Sequence, residues 1–157
     1  MTVQLQLSAL DDIVSHAIME DTRGLYSHVD IVTPRGTLIG ARSAAMIIND
    51  ITYPAGVTER PAGYAPFTTT KVLTFPSSRV DDEAAFWAFV SAQMGKPYDT
   101  WAVLGLGAGR DWHSSDKWFC SELAAAALEI AGYIPKLPTG VWFVSPRDID
   151  IIGSMVA

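Results

Sequence analysis

Apolar and polar positions alternate along Tyr26–Val32 (YSHVDIV), which predicts a strand with Tyr26, His28 and Asp30 on one face. Thr33-Pro34-Arg35-Gly36 reads as a turn, and Thr37–Ser43 (TLIGARS) returns as a second strand, so the two form a hairpin. An initial strand precedes a polar-faced helix or turn over 11–22, with Arg23-Gly24 as its exit. Residues 44–70 hold Pro54, Gly56, Pro61, Gly63 and Pro66, so one or two short strands and a long surface loop are expected there. Lys71–Phe75 is a further strand. A helix is expected over Ser78–Met94, capped by Ser78 or Asp81, with Phe86, Phe89 and Val90 as its apolar stripe, Trp87 beside it and Gly95 just past its end. A second helix is expected over Asp116–Ala131, capped by Ser114, Ser115 or Asp116 and lined on one face by Leu123, Ala127 and Ile130. The tail VWFVSPRDIDII reads as a final strand and a turn. Strands, then helices, then a strand predict an α+β fold, a mainly antiparallel sheet packed against helices, rather than a doubly wound parallel one.

Composition narrows the class. The 157 residues are 49% hydrophobic and 18% charged, which suits a single domain over 1–157 with its own core. One cysteine permits no internal disulfide. A net charge of −6 without clustered Lys and Arg argues against nucleic-acid binding. The N-terminus lacks a basic, apolar leader pattern, and apolar runs such as AAMII at 44–48 are strand-sized. The expectation is a soluble protein without a membrane span, cytoplasmic as encoded, or carried with a virion or to the cell envelope by other means. The oligomeric state is not read from the sequence.

The candidate chemistry centres on WFCSEL, which holds the single cysteine, Cys120, at the opening of the second helix. A cysteine attacks as thiolate, and a helix N-terminus favours that anion. The unpaired N–H groups of the same turn can also stabilise an oxyanion. The bland alternative is a small core residue. A histidine is the usual base, and the chain has three. His28 ranks first because a strand holds its ring rigidly. His113 follows, near Cys120 in sequence but in a loop, and His16 is last. GLGAG at 105–109 has the wrong spacing for a phosphate cradle and reads as a turn. Scattered histidines predict no metal, and no cofactor is expected. Asp11-Asp12 and Asp81-Asp82-Glu83 read as solvated caps. Trp101, Trp112 and Trp118 cluster near the thiol as core or cleft wall, one of them available to stack on a substrate.

GKPYDTWAVLGL followed by WFCSEL resembles the nucleophile region of the NlpC-type cysteine peptidases, a branch of the papain-like fold: Gly95, Pro97 and Tyr98 match its first part, Cys120 and Ser121 its last. The histidine strand here precedes the cysteine, which resembles the circularly permuted branch, with its YiiX-like and lecithin:retinol acyltransferase-like proteins. DDIVSHAIMEDTRGLYSHV and SPRDID at 145–150 are similar to YiiX-like proteins as well, so the resemblance runs from about Asp12 to Asp150. Similar permuted domains occur in bacteria and their phages.

The resemblance implies Cys120 as nucleophile and His28 as base. It implies backbone N–H groups around Cys120 and Ser121 in the oxyanion hole, and Tyr98 near the thiol, either as a donor toward the oxyanion or as a cleft wall. The family usually sets a third polar residue about twelve positions after the histidine to orient its ring; Gly40 stands there. Asp30, Ser43 or Glu59, a backbone carbonyl or a water are the substitutes. Asp30 shares a face with His28, a relation in which side chains often do not touch. Glu122 departs from the glycine of many NlpC-type members and fits the permuted branch. The implied function is a cysteine hydrolase (peptidase or amidase) working through an acyl-enzyme, with cell-wall stem peptides as a natural substrate. The alternatives are an acyltransferase or thioesterase on lipid or acylated protein, and a non-catalytic interaction module that keeps the fold.

Overall fold

The computed structural model describes residues 2–76, 82–100 and 116–156. Among these, the chain is α+β with an antiparallel sheet. Five strands, β1 (Thr2–Ala9), β2 (His28–Val32), β3 (Leu38–Arg42), β6 (Gly56–Arg60) and β7 (Thr69–Pro76), form one sheet in the order β6-β3-β2-β1-β7. A two-stranded hairpin, β4 (Met46–Ile48) with β5 (Ile51–Tyr53), stands apart from it. The helices are α1 (Ile13–Thr22), α2 (Asp82–Gln93), α3 (Cys120–Ile130) and α4 (Pro146–Val156).

Alternation decides which face of the sheet is apolar. Leu5, Leu7, Val29, Ile31, Ile39, Ala41, Val57, Leu73 and Phe75 join one buried cluster. Phe86 and Val90 of α2, Leu123, Ala124, Ala127 and Leu128 of α3 and Ile149 of α4 complete it. Every residue of α3 from Cys120 to Leu128 is buried, so this is a central helix and not an amphipathic one. Its alanines keep the helix thin, and Leu123 and Leu128 each contribute about 1.5–3 kcal/mol by leaving water. Ile130, expected on the buried face with Leu123 and Ala127, is exposed.

The hairpin of β2 and β3 forms as the sequence predicts. Val32 pairs with Leu38, and Gly36 in the turn has φ 79°. The helix over 11–22 also forms, with the Asp12 carboxylate accepting from the Ser15 N–H at 2.7 Å. Arg23 ends it in the left-handed conformation.

Three expectations need correction. Residues 44–70 hold three strands, not one or two. The β4-β5 turn is built on Asn49 and Asp50, both with positive φ, a two-residue hairpin connection that the prolines around it obscure. The second helix starts at Cys120, not near Asp116, because Trp118 is bridged to Tyr98 and Phe119 keeps an extended backbone. The Glu122 carboxylate accepts from the Phe119 N–H at 3.2 Å and caps the turn. The tail is a 3-10 turn (Val141–Phe143) and helix α4 rather than a strand. Ser145 and Asp148 cap each other's backbone N–H groups at 3.2 and 2.8 Å, and Pro146 takes the first helical position, where its missing N–H costs nothing. The expected caps Ser78, Asp81, Ser114 and Ser115 lie outside the described residues.

Gly56 joins sheet to site. Val57 N–H donates to the Lys96 carbonyl and Gly95 N–H to that of Val57, each at 2.9 Å, which lays the segment leading to Tyr98 along β6. Gly56 has φ 91°, and a Cβ there would stand 2.3 Å from the Lys96 oxygen. Gly56→Ala should therefore cost roughly 1–3 kcal/mol or more, read as a lower urea midpoint at unchanged slope. A midpoint equal to that of the wild type would mean this junction is not strained by a side chain.

Candidate active site

Cys120 is the first residue of α3. Its thiol is buried among Phe119, Ile18 of α1 and Tyr98. The parallel bridge between Tyr98 and Trp118 fixes this neighbourhood: Asp99 N–H donates to the Trp118 carbonyl at 2.9 Å and Trp118 N–H to that of Pro97 at 3.0 Å. The Trp118 indole N–H donates to Gln93 Oε1 at 3.1 Å, so the strand before the thiol is also tied to α2.

His28 opens β2, and its imidazole lies close enough to the Cys120 side chain for the sulfur to favour its charged form. Its Nε2 lies 2.9 Å from Asp30 Oδ1 and 3.1 Å from Tyr64 Oη. With Nε2 turned to Asp30, Nδ1 is the nitrogen left for the sulfur. The Tyr64 hydroxyl donates to Asp30 Oδ2 at 2.9 Å and accepts from Arg42 Nη1 at 3.0 Å. A continuous chain of hydrogen bonds results, from Arg42 through Tyr64 and Asp30 to His28, with the Cys120 side chain beside the ring.

Two side chains two positions apart on one strand meet here because space is made for them. A Cβ at Gly40 would lie 2.0 Å from Asp30 Oδ1 and 3.3 Å from His28 Nε2. The position that lacks an orienting side chain is thus filled by the carboxylate of the neighbouring strand. Gly40 also keeps its carbonyl in use, accepting from Arg60 Nη1 at 3.0 Å. Glu59, another substitute considered, accepts from Arg35 Nη2 at 2.7 Å and from the Thr37 hydroxyl. Ser43 is exposed at the cleft rim.

The charges follow from this geometry. Burial opposes a charge on His28, but the Asp30 carboxylate and the Cys120 sulfur outweigh it and push the imidazole up to about 9. Burial likewise opposes charge on Asp30, yet His28 and the Tyr64 hydroxyl hold its carboxyl below the usual range. Burial and the nearby Asp30 charge raise the Tyr64 phenol, which stays a proton donor. Burial and the Cys120 sulfur raise Tyr98 in the same way. Tyr98 lines the cleft beside His28.

Ser121 does different work. Its side chain is fully buried and donates to the Val144 carbonyl at 2.6 Å, tying α3 to the segment before α4. Any part it takes in an oxyanion hole belongs to its backbone. His16 is exposed and 2.8 Å from Asp11, well away from this chain of contacts. His113, Trp101, Trp112 and 105–109 lie outside the described residues. Among the described residues no group of three His, Cys, Asp or Glu side chains is placed to hold a metal, and no helix is long and apolar enough to cross a membrane.

A cleft of about 530 Å³ opens beside His28, between α1 and the end of β3. Ile13, Val14 and Ile18 supply an apolar wall, while Ser27, Arg42 and Tyr98 supply polar groups. Ser27 donates to the Ser15 hydroxyl at 2.9 Å, which anchors α1 to the start of β2.

Tyr64 is the participant that sequence reasoning missed. It sits in PAGYAPF, a turn-broken stretch with no periodicity to give its direction. An alternation argument could not have found it; only the open space at Gly40 hints that something polar must reach in.

His28 should titrate with a midpoint near 9 when followed by NMR of its ring. Its charge gives stability that is fully present below 6.5 and is lost as pH rises through about 9. Asp30→Asn should move the midpoint down by a unit or more, on the order expected for loss of an adjacent charge. An unmoved midpoint would exclude Asp30 as the partner. No protein-family model matches the chain, and no curated protein matches it.

Proposed function

We propose that this chain is a cysteine hydrolase with a permuted papain-like (NlpC-type) fold of the YiiX-like branch, acting on an amide, ester or thioester carbonyl. The observation that carries the reading is the His28–Asp30 pair at 2.9 Å beside the Cys120 side chain, with the sulfur at the first residue of a helix. A charged imidazole beside the sulfur favours the thiolate, and the helix N-terminus favours the same anion.

The thiolate attacks the carbonyl carbon and the carbonyl electron pair moves to oxygen. The first-turn N–H groups of α3 can receive that charge, with Tyr98 at the cleft as a second donor. The His28 imidazolium gives its Nδ1 proton to the leaving group as the tetrahedral intermediate collapses to a thioester. The neutral ring then takes a proton from water, which hydrolyses the thioester and regenerates the thiolate–imidazolium pair. Asp30 keeps the ring in one orientation and stabilises its charged form, with Tyr64 holding the second carboxylate oxygen.

Stem peptides of the cell wall are the substrate that the family likeness suggests. The apolar wall of Ile13, Val14 and Ile18 favours a second reading, acyl transfer or deacylation of a lipid or acylated protein. A missing ring-orienting group at Gly40 would favour a non-catalytic module; the Asp30 carboxylate that occupies this space supports an assembled site instead.

Incubation with an activated acetyl ester should add one acetyl group at Cys120, seen by mass spectrometry. Cys120→Ala should give no adduct, and His28→Ala should lower turnover by about a thousandfold or more. Unchanged turnover in either variant would refute the reading. In a test of the orienting role, Tyr64→Phe should lower kcat by about tenfold, since it removes the hydroxyl that donates to Asp30.

A further inference from the structure

We propose that Arg42 is the specificity residue of this site, and that it binds a carboxylate carried by the substrate beside the scissile carbonyl. The inference rests on the thiol chemistry proposed for Cys120.

Arg42 ends β3 and lines the cleft together with His28 and Tyr98. Its Nη1 donates to Tyr64 Oη at 3.0 Å, and its guanidinium carbon lies 5.3 Å from the centre of that ring. One donor is thus used to hold the group in place. A guanidinium has about five N–H donors in a planar fork, so the rest remain for a partner. Among the described residues no carboxylate lies in ion-pair range of it.

Three other arginines among the described residues are committed elsewhere. Arg35 pairs with Glu59, and Arg147 donates to the Thr22 carbonyl. Arg60 is buried on the carbonyls of Gly40, Thr58, Pro54 and Gly56. Among the described residues that line the cleft, Asp12 is the one carboxylate, and it caps the Ser15 N–H. A half-buried cation that lines the cleft, with one bond to Tyr64 among the described residues, suits a fork-to-fork carboxylate contact. Arg42 is close enough for its charge to bear on the Cys120 sulfur and on Asp30. An anion held there would bring the adjoining carbonyl to the thiolate.

The chain's single cysteine makes the test direct. Rates of Cys120 alkylation are measured with iodoacetate, an anion, and with iodoacetamide, its neutral counterpart. The ratio of the two rates cancels the thiolate population and reads only the preference for charge. The same cysteine in the urea-unfolded chain supplies the reference ratio. Folded wild-type protein should exceed that reference by on the order of tenfold, the size of one charge-assisted contact. Arg42→Gln should bring the ratio most of the way down to the reference, and Arg42→Lys should keep part of the preference. Equal slowing of both reagents in Arg42→Gln would overturn the proposal and make Arg42 a stabiliser of the thiolate alone. If that variant does not fold, a wild-type ratio no higher than the reference, or an Arg42→Lys ratio equal to it, overturns the proposal too. Iodoacetamide reacting only on unfolding would refute the thiol chemistry itself, and this inference with it.

Discussion

A charged imidazole buried against a buried carboxylate is the constraint around which the sheet is arranged. Each group alone would be too costly to keep out of water, and the pair persists only when its remaining hydrogen-bonding capacity is met. Asp30 meets it by accepting from His28 on one oxygen and from Tyr64 on the other. His28 meets it by turning one nitrogen to Asp30 and Tyr64, with the Cys120 side chain beside the ring. Gly40 supplies the empty volume without which the carboxylate could not lie across the strand. Arg42 then places a second positive charge behind Tyr64. Removal of any one member leaves a buried polar group unpaired, so the cluster stands or falls together.

Bringing the sulfur to this pair is a matter of backbone. The small side chains of α3 let a helix buried from Cys120 to Leu128 lie close to β2 and β3, so its first residue arrives near the first residue of β2. The Tyr98–Trp118 bridge and the bonds between Val57, Gly95 and Lys96 hold the approach to that helix along the sheet. Phe119 stays extended while Cys120 is helical, so the turn from strand to helix falls at the thiol. The Ser121 hydroxyl, which a reading by chemistry alone would place in the reaction, is instead an anchor to Val144.

His28 and Cys120 can be nominated from sequence because their residue types are rare in this chain, a strand holds the ring rigidly and a helix start suits the thiol; the structure moves His28 from mid-strand to the first residue of β2. Asp30 was visible but undervalued: strand alternation gives a shared face, and only the neighbouring strand's missing side chain lets the two tips bend together. Gly40 looked like a defect because one position was compared with an expected residue, whereas the volume is shared among three strands. Tyr64 was invisible, since its role depends on a loop path that no periodicity encodes. In the tail, the caps Ser145 and Asp148 and the proline between them outweigh the apolar run that suggested a strand. The α+β class and antiparallel pairing followed from local pattern; the contacts between distant segments did not.

The central claim is that the Cys120 sulfur and the His28 ring share a proton-linked charge pair. Its most direct measurement is the NMR titration of the His28 ring in the Cys120→Ala chain beside the wild type. Because the sulfur is one of the groups that holds the imidazole up near 9, the account predicts a lower midpoint in the variant. Identical midpoints in the two chains would contradict it, because the ring and the sulfur would then not sense each other.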